Sequence, residues 1–298
     1  MQNFTVTLNK SEILKLHNQL KKYRAPKPRN PYLLYFYKVK STTISIFTSG
    51  KLLIQGNNPE AFYNSLVGKK TNLNIKAIAY KINDYIGCDE VGVGDYFGGM
   101  VTCAVYLKKS DEGALKRIGV CDSKRLLDSQ MVVMMDEIVR VCDYECSVVT
   151  PKEYNQLVKR FSNTHIVKAY LHNQTISKLA KRLGLGESAT VVMDQFATRT
   201  TYNAYFTKIG IAPYKVTHFE TKAENKYLAV AAASIIARVE FLKQINRLSK
   251  QAHMRLLLGA SNPKIIEQAR NIYQIGGINK LSDFVKIDFA TTKKATNT

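Results

Sequence analysis

Polar and apolar residues alternate over Phe4-Thr-Val-Thr-Leu8, the period of a half-buried strand. Apolar residues then recur at three- and four-residue intervals over 11–22, the period of an amphipathic helix. Three prolines in the basic stretch 23–31 remove backbone donors and fix φ, which predicts a loop. Beyond it, 32–39, 42–48 and 51–55 are three β-like runs, the last two separated by the turn pair Ser49-Gly50, and 59–67 reads as a short closing helix. A β-α-β-β-β-α order predicts a small curved sheet with its helices on one face, and 68–74 reads as a linker. The chain is accordingly divided into domains 1–72 and 73–298.

After residue 76 the pattern changes. A strand at 85–88 runs into a glycine-rich turn, and further strands are predicted at 100–107, 144–149, 190–193 and 214–218. Helical spacing covers 129–141, 151–159, 164–182 and 197–206. Residues 221–247 read as one long helix with the apolar centre Leu228-Ala-Val-Ala-Ala-Ala-Ser-Ile-Ile-Ala237. More helix is expected over 263–288, and 290–298 reads as a disordered tail. Strands alternating with helices predict an α/β domain around a central sheet.

Of the 298 residues 45% are hydrophobic, enough for a substantial core without staples. Five scattered cysteines with no C-x-x-C pair argue against a disulfide framework or a zinc site, and suit a reducing compartment. No run reaches the roughly 18 apolar residues that span a bilayer, and the first residues lack a signal peptide's charged head and apolar stretch, so a cytoplasmic protein is expected. Charge adds more. Lys and Arg number 44 against 23 Asp and Glu, a net of +21. A polyanionic partner is the leading explanation, because each phosphate contact releases counterions. Residues 1–75 hold 12 basic and two acidic residues, a net of +10, and the remainder carries +11. That spread favours a long ligand touching both parts over a single basic tail. A basic enzyme with an unrelated substrate stays open at this point.

Asp89-Glu90 stands where the strand at 85–88 runs out into Gly92-Val-Gly94. Successive strand residues face opposite ways, so the pair serves one site only if the strand ends or bulges there, and is otherwise surface charge. The glycines fail as a dinucleotide fingerprint, since Phe97 stands where the third is needed and paired carboxylates would repel a pyrophosphate. What they offer is close backbone approach to a sugar or phosphate. Asp194 ends the apolar run Val191-Val-Met193 at a sheet's C-terminal edge, where α/β sites form, or else caps the next helix. Thr221-Lys-Ala-Glu224 matches a capping box, which on local grounds makes Glu224 structural. His165 and His172 share a helix face at a spacing that suits packing or solvent better than metal ligation, and are left out of the site.

Four segments together resemble the type 2 ribonucleases H over most of the chain. They are Gly87-Cys-Asp-Glu-Val-Gly-Val-Gly-Asp-Tyr-Phe-Gly98, Cys121-Asp-Ser-Lys-Arg-Leu126, Val191-Val-Met-Asp194, and Glu220-Thr-Lys-Ala-Glu224 with Ala231-Ala-Ala-Ser-Ile-Ile-Ala-Arg238. The basic N-terminal domain, and a Glu ten residues before Ser234 where ribonucleases HII usually have Asp, resemble the ribonuclease HIII branch. Gly99 departs from the pattern, which has Pro there, and puts local loop stiffness in doubt.

The resemblance implies an α/β, ribonuclease H-like catalytic domain with a central mixed sheet and flanking helices. To this it adds a small N-terminal α+β domain like half of the TATA-binding-protein fold. It implies an endonuclease that hydrolyses the RNA strand of RNA–DNA hybrids, leaves 5′-phosphate and 3′-hydroxyl ends, and serves DNA replication and repair. It assigns catalysis and metal ligation to Asp89, Glu90, Asp194 and Glu224, with Asp89 bridging two Mg2+ or Mn2+ ions that offset the four carboxylates. Gly92 and Gly94 would read 2′-hydroxyls. Ser123, Lys124, Lys222 and Ser234 would contact phosphates. Each has an ordinary alternative: a polar helix start for Ser123 and Lys124, a solvated first turn for Lys222, a bond to the preceding turn for Ser234. Lys21, Lys22, Arg24, Lys27 and Arg29, among Tyr23, Tyr32, Tyr35 and Tyr37, would grip the hybrid by phosphate contact and stacking, with several of the tyrosines left to the core. A monomer without membrane partners is expected.

Overall fold

The computed structural model describes residues 2–26, 28, 30–39, 42–56, 59–66, 82–123, 126–187 and 189–296. The chain divides into two compact units, 1–74 and 75–298. The linker expected at 68–74, and the boundary at 72 with it, lie outside the described residues.

The first unit contains β1 (Gln2–Thr7), α1 (Lys10–Leu20), β2 (Leu33–Val39), β3 (Thr42–Phe47), β4 (Lys51–Gly56) and α2 (Pro59–Leu66). Its strands form an antiparallel sheet in the order β1-β4-β3-β2. Asn9 starts α1 by accepting from the Glu12 N–H while Glu12 reaches back, a reciprocal cap. Strand alternation brings Ile44, Ile46, Leu52 and Ile54 into one core with Leu16 and Leu20 of α1. Tyr37 belongs to that core: it is fully buried, and its hydroxyl lies 2.7 Å from His17 Nδ1. Tyr35 stacks on the same imidazole. Tyr23 and Tyr32 stay exposed, at 38% and 70%, and Lys22 Nζ lies 5.0 Å from the Tyr23 ring centroid. Lys27 and Arg29 lie outside the described residues.

The second unit is built on a mixed sheet of β5 (Tyr85–Val91), β6 (Met100–Leu107), β7 (Asp143–Val149), β8 (Thr190–Asp194) and β9 (His218–Glu220), in the order β7-β6-β5-β8-β9. β5 runs antiparallel to β6 and parallel to β8. The helices are α3 (Glu112–Ile118), α4 (Asp128–Val141), α5 (Pro151–Phe161), α6 (Thr164–Arg182), α7 (Arg199–Ile209), α8 (Leu228–Gln251), α9 (Pro263–Ser282) and α10 (Ala290–Thr296). α8 covers one face of β5 so closely that a Cβ on Gly87 would stand 2.4 Å from the Val230 nitrogen. On the other face, Ile86 and Cys88 pack with Ile176 and Leu179 of α6 and with Tyr202 and Phe206 of α7. A centre that is apolar apart from Ser234 therefore suits α8, whose residues from Leu228 to Ala237 are all buried.

Three expectations are corrected. The long helix begins at Leu228, not near 221, because Lys222 takes a left-handed backbone (φ +54°) and Ala223–Asn225 form a separate 3-10 turn. The strand expected at 214–218 is the shorter His218–Glu220. Residues ahead of it are tied elsewhere: the Tyr214 N–H donates to Asn173, and the Arg199 guanidinium takes the carbonyls of Val216 and Thr217. The expected tail is a helix to Thr296, with Thr291, Thr292 and Ala295 buried. Its polar side chains are used, since the Thr292 hydroxyl lies 3.0 Å from the Tyr96 hydroxyl and Thr291 donates to the Ala260 carbonyl.

Candidate active site

Cys88 of β5 is registered with Met193 of β8, so Asp89 and Asp194 follow side by side where the parallel pair runs out. Asp89 turns toward α8, where it accepts from the Ser234 hydroxyl and, at 2.9 Å, from the Glu90 N–H. Ser234 is buried and its oxygen lies 2.9 Å from that of Ser123. Its hydroxyl thus serves this cluster. Burial first, then the negative charges of Glu90 and Asp194, push the Asp89 carboxyl up to about 8 against those hydrogen bonds.

The strand does not end at Asp89. Its ladder with β6 continues through Glu90 opposite Thr102 and Val91 opposite Val101, so the pleat turns Glu90 to the α6 face. There the Lys168 ammonium meets Oε1, and His172 Nε2–H donates to Oε2 at 2.9 Å. Burial alone would raise the Glu90 pKa, but the His172 bond and the Lys168 charge outweigh it and hold the group down to about 2. His172 is fully buried, and its Nδ1 finds no partner among the described residues. Phe196 lies beside both, with its centroid 4.2 Å from Lys168 Nζ and its ring stacked on the imidazole. Neither His172 nor Lys168 is among the site residues expected from the sequence. The available signal was their i, i+4 spacing on one helix, which becomes meaningful only once a carboxylate is known to face it.

Asp194 does not cap α7, a task Thr198 performs. Its Oδ1 instead accepts from the Ala223 N–H at 2.9 Å and so anchors the 3-10 turn that carries Glu224. The capping-box reading of Glu224 fails, because α8 starts four residues later at Leu228, and its N-cap Tyr227 makes no side-chain cap. Glu224 is 8% exposed, and its Oε1 accepts from Asn225 Nδ2 at 3.4 Å. Lys222 is exposed and precedes this turn rather than lying in a first turn of α8.

Gly92 has φ +99°, and a Cβ there would stand 2.6 Å from the Phe241 ring, so packing on α8 accounts for this glycine. Gly94 is open, with nothing within 4 Å of the equivalent position. The loop they belong to is held from behind. Asp95 Oδ1 accepts from the Gly259 N–H at 2.6 Å, and the fully buried Lys286 donates to the carbonyls of Asp95 and Gly98 at 2.5 and 2.8 Å. At Gly99 the N–H donates to Gln244 at 2.7 Å, and a Cβ would lie 2.0 Å from the Val149 carbonyl oxygen. A proline would lose that donor and collide, and hydrogen bonds supply the stiffness here. Lys124 lies outside the described residues.

The structure thus brings Asp89, Asp194, Ser123 and Ser234 into one neighbourhood, with Glu224 on the turn Asp194 holds, and places Glu90 across the strand. Among the described residues no three His, Cys, Asp or Glu groups converge closely enough to hold a metal ion. No helix among them is long and apolar enough to cross a membrane.

Comparison with known proteins adds the family. The Ribonuclease HII family profile matches residues 86–292, and a profile described as a domain of unknown function (DUF3378) matches residues 3–77. Ribonuclease HIII of Lactococcus lactis subsp. lactis is 35% identical over 295 residues, covering 98% of each chain. Ribonuclease HIII of Bacillus mycoides is 36% identical over 309 residues, covering 99% of this chain and 98% of its own. Among solved structures, Bst ribonuclease HIII in complex with Mn2+ aligns with a TM-score of 0.67 at 28% identity, over 99% of this chain and 98% of that one.

Proposed function

The chain belongs to the Ribonuclease HII family and is an endoribonuclease H, and from that premise we propose that it hydrolyses the RNA strand of RNA–DNA hybrids with divalent metal ions held by Asp89, Glu90, Asp194 and Glu224. The observation that carries the reading is the pair Asp89 and Asp194, side by side where the β5–β8 pairing runs out, with Asp89 pushed up to about 8 by burial and by neighbouring carboxylates. Such crowding of negative charge is relieved by a cation, and carboxylate oxygens are hard donors that suit Mg2+ or Mn2+. The Mn2+ complex of the Bst relative supports the same choice.

When bound, two such ions supply Lewis acidity to a water and to the scissile phosphodiester and offset the four carboxylates. The protein's own groups position the rest. Asp194 fixes the Glu224 turn through the Ala223 N–H, and Ser234 and Ser123 present hydroxyls beside Asp89 for a phosphate. Lys124 and Lys222 add positive charge for the backbone. Gly94 leaves its backbone open to a 2′-hydroxyl, the group that distinguishes RNA, with Gly92 shaping the turn. In-line attack by water breaks the bond from phosphorus to the 3′ oxygen, which gives 5′-phosphate and 3′-hydroxyl ends. The N-terminal unit adds affinity through Lys21, Lys22, Arg24, Lys27 and Arg29, with Tyr23 and Tyr32 exposed for stacking.

The test is cleavage of a labelled hybrid by the full chain with Mg2+, with Mn2+ and with chelator, for wild type and Asp89→Asn. Asp89→Asn is expected to lose cleavage while still binding hybrid. Unchanged cleavage by that variant sinks the site.

A further inference from the structure

Both oxygens of Glu90 are already taken. Oε1 meets the Lys168 ammonium and Oε2 accepts from His172 at 2.9 Å, in a setting where the side chains of Lys168, Glu90 and His172 are 12%, 14% and 0% exposed. A carboxylate so enclosed is tolerated only with charge and donors beside it. A divalent cation that binds Glu90 therefore competes for it with an ammonium that already balances its charge.

We infer that Lys168 is a built-in competitor for the metal: its ammonium holds Glu90 on the α6 face of β5 and yields the carboxylate when a cation binds. The inference rests on the proposed role of Glu90 as a ligand. It adds a positioning residue that none of the family motifs contains. Three observations carry it. The unbroken β5–β6 ladder turns Glu90 away from Asp89. The Lys168 and His172 contacts then hold it there. Finally, the face of Phe196 lies 4.2 Å from Lys168 Nζ, so the ammonium keeps a partner when Glu90 leaves. His172 has no such freedom, being fully buried and stacked on Phe196, and acts as the fixed donor that orients the carboxylate.

A contact made only in the metal-free state lowers apparent metal affinity by the factor with which it stabilises that state. Removing Lys168 should therefore tighten metal binding, whereas the loss of a residue that supports the bound metal would weaken it. The experiment titrates the full chain with Mn2+ alone, with free ion counted by electron paramagnetic resonance and no nucleic acid present. It compares wild type, Lys168→Met, Glu90→Gln and the double variant, with Lys168→Gln standing in should the methionine variant not fold. Lys168→Met is expected to bind Mn2+ about tenfold more tightly, and to melt below wild type without metal, with the gap closing as Mn2+ is added. In the Glu90→Gln background the same substitution should change affinity little. Unchanged or weaker binding by Lys168→Met overturns the inference. So does equal tightening with and without Glu90, which would mark a general charge effect. If Glu90→Gln itself leaves Mn2+ affinity unchanged, the ligand reading fails and the competitor with it. If it weakens binding while Lys168→Met does not tighten it, the competitor alone is lost.

Discussion

Asp89 and Glu90 are neighbours in sequence and occupy opposite electrostatic worlds. On the α8 face, Asp89 has hydroxyl and amide donors, and burial, followed by the charges of Glu90 and Asp194, pushes its pKa up to about 8. On the α6 face, Glu90 has an ammonium and an imidazole, and is held down to about 2. The side chains differ by one methylene, so the difference is made by the pleat and by which helix covers each face. One face gathers carboxylates, and the other already carries a cation.

The largest expected effect tests the bare face. Asp89→Asn should lower cleavage by about a thousandfold or more, while hybrid affinity changes less than about twofold, because the basic surface is untouched. Without metal the variant should melt no lower than wild type, since it removes a carboxylate whose ionised form the fold disfavours. The covered face should behave differently. Glu90→Gln should reduce cleavage too, but should also cost the metal-free protein about 2 kcal/mol in a urea titration, because Lys168 is left partly buried without its counter-charge. Equal stability of the two variants would erase the contrast between the faces.

Glu224→Gln comes next, with about a tenfold loss of activity at fixed metal and a melting temperature within about a degree of wild type. A large fall in stability would restore a structural role for that residue. The last effect concerns Lys286, a buried cation given carbonyls for partners where Lys168 has a carboxylate. Burial lowers its pKa from 10.5 to about 7, opposed by the charges of Asp95 and Asp288. Between pH 7 and the unfolded value, the unfolded chain holds the proton and the folded chain sheds it, so stability contributed here rises with pH. Relative to Lys286→Met, the wild type should gain up to about 1.4 kcal/mol per pH unit from pH 7 to 8.5. A flat difference over that range would show that the ammonium is not desolvated.

Much of the chain was legible as pattern. The strands at β2 to β6 and the helices α4 to α6 follow from periods that depend on neighbours a few residues away. The misreadings came where local signals competed with distant partners. Thr221-Lys-Ala-Glu224 has the letters of a capping box, yet Asp194 reaches across from β8 to the Ala223 N–H and makes a separate turn of it. The last helix lacks an apolar stripe, so 290–296 resembles a tail until Tyr96 and Ala260 are seen to take its threonines.

By itself the sequence determined the two-part architecture of strands and helices, the basic charge, and the family, because these depend on composition, short periods and motif spacing. Through the family resemblance it also singled out Asp89, Glu90, Asp194 and Glu224 as the proposed site, since motif spacing needs no geometry to be read. Only the tertiary structure decided where each of them points, that Lys168 and His172 hold Glu90 across the strand from Asp89, and that Asp194 builds the turn under Glu224. Those facts depend on residues 29 to 82 positions apart in the chain brought within hydrogen-bonding distance, and no local pattern encodes such a meeting.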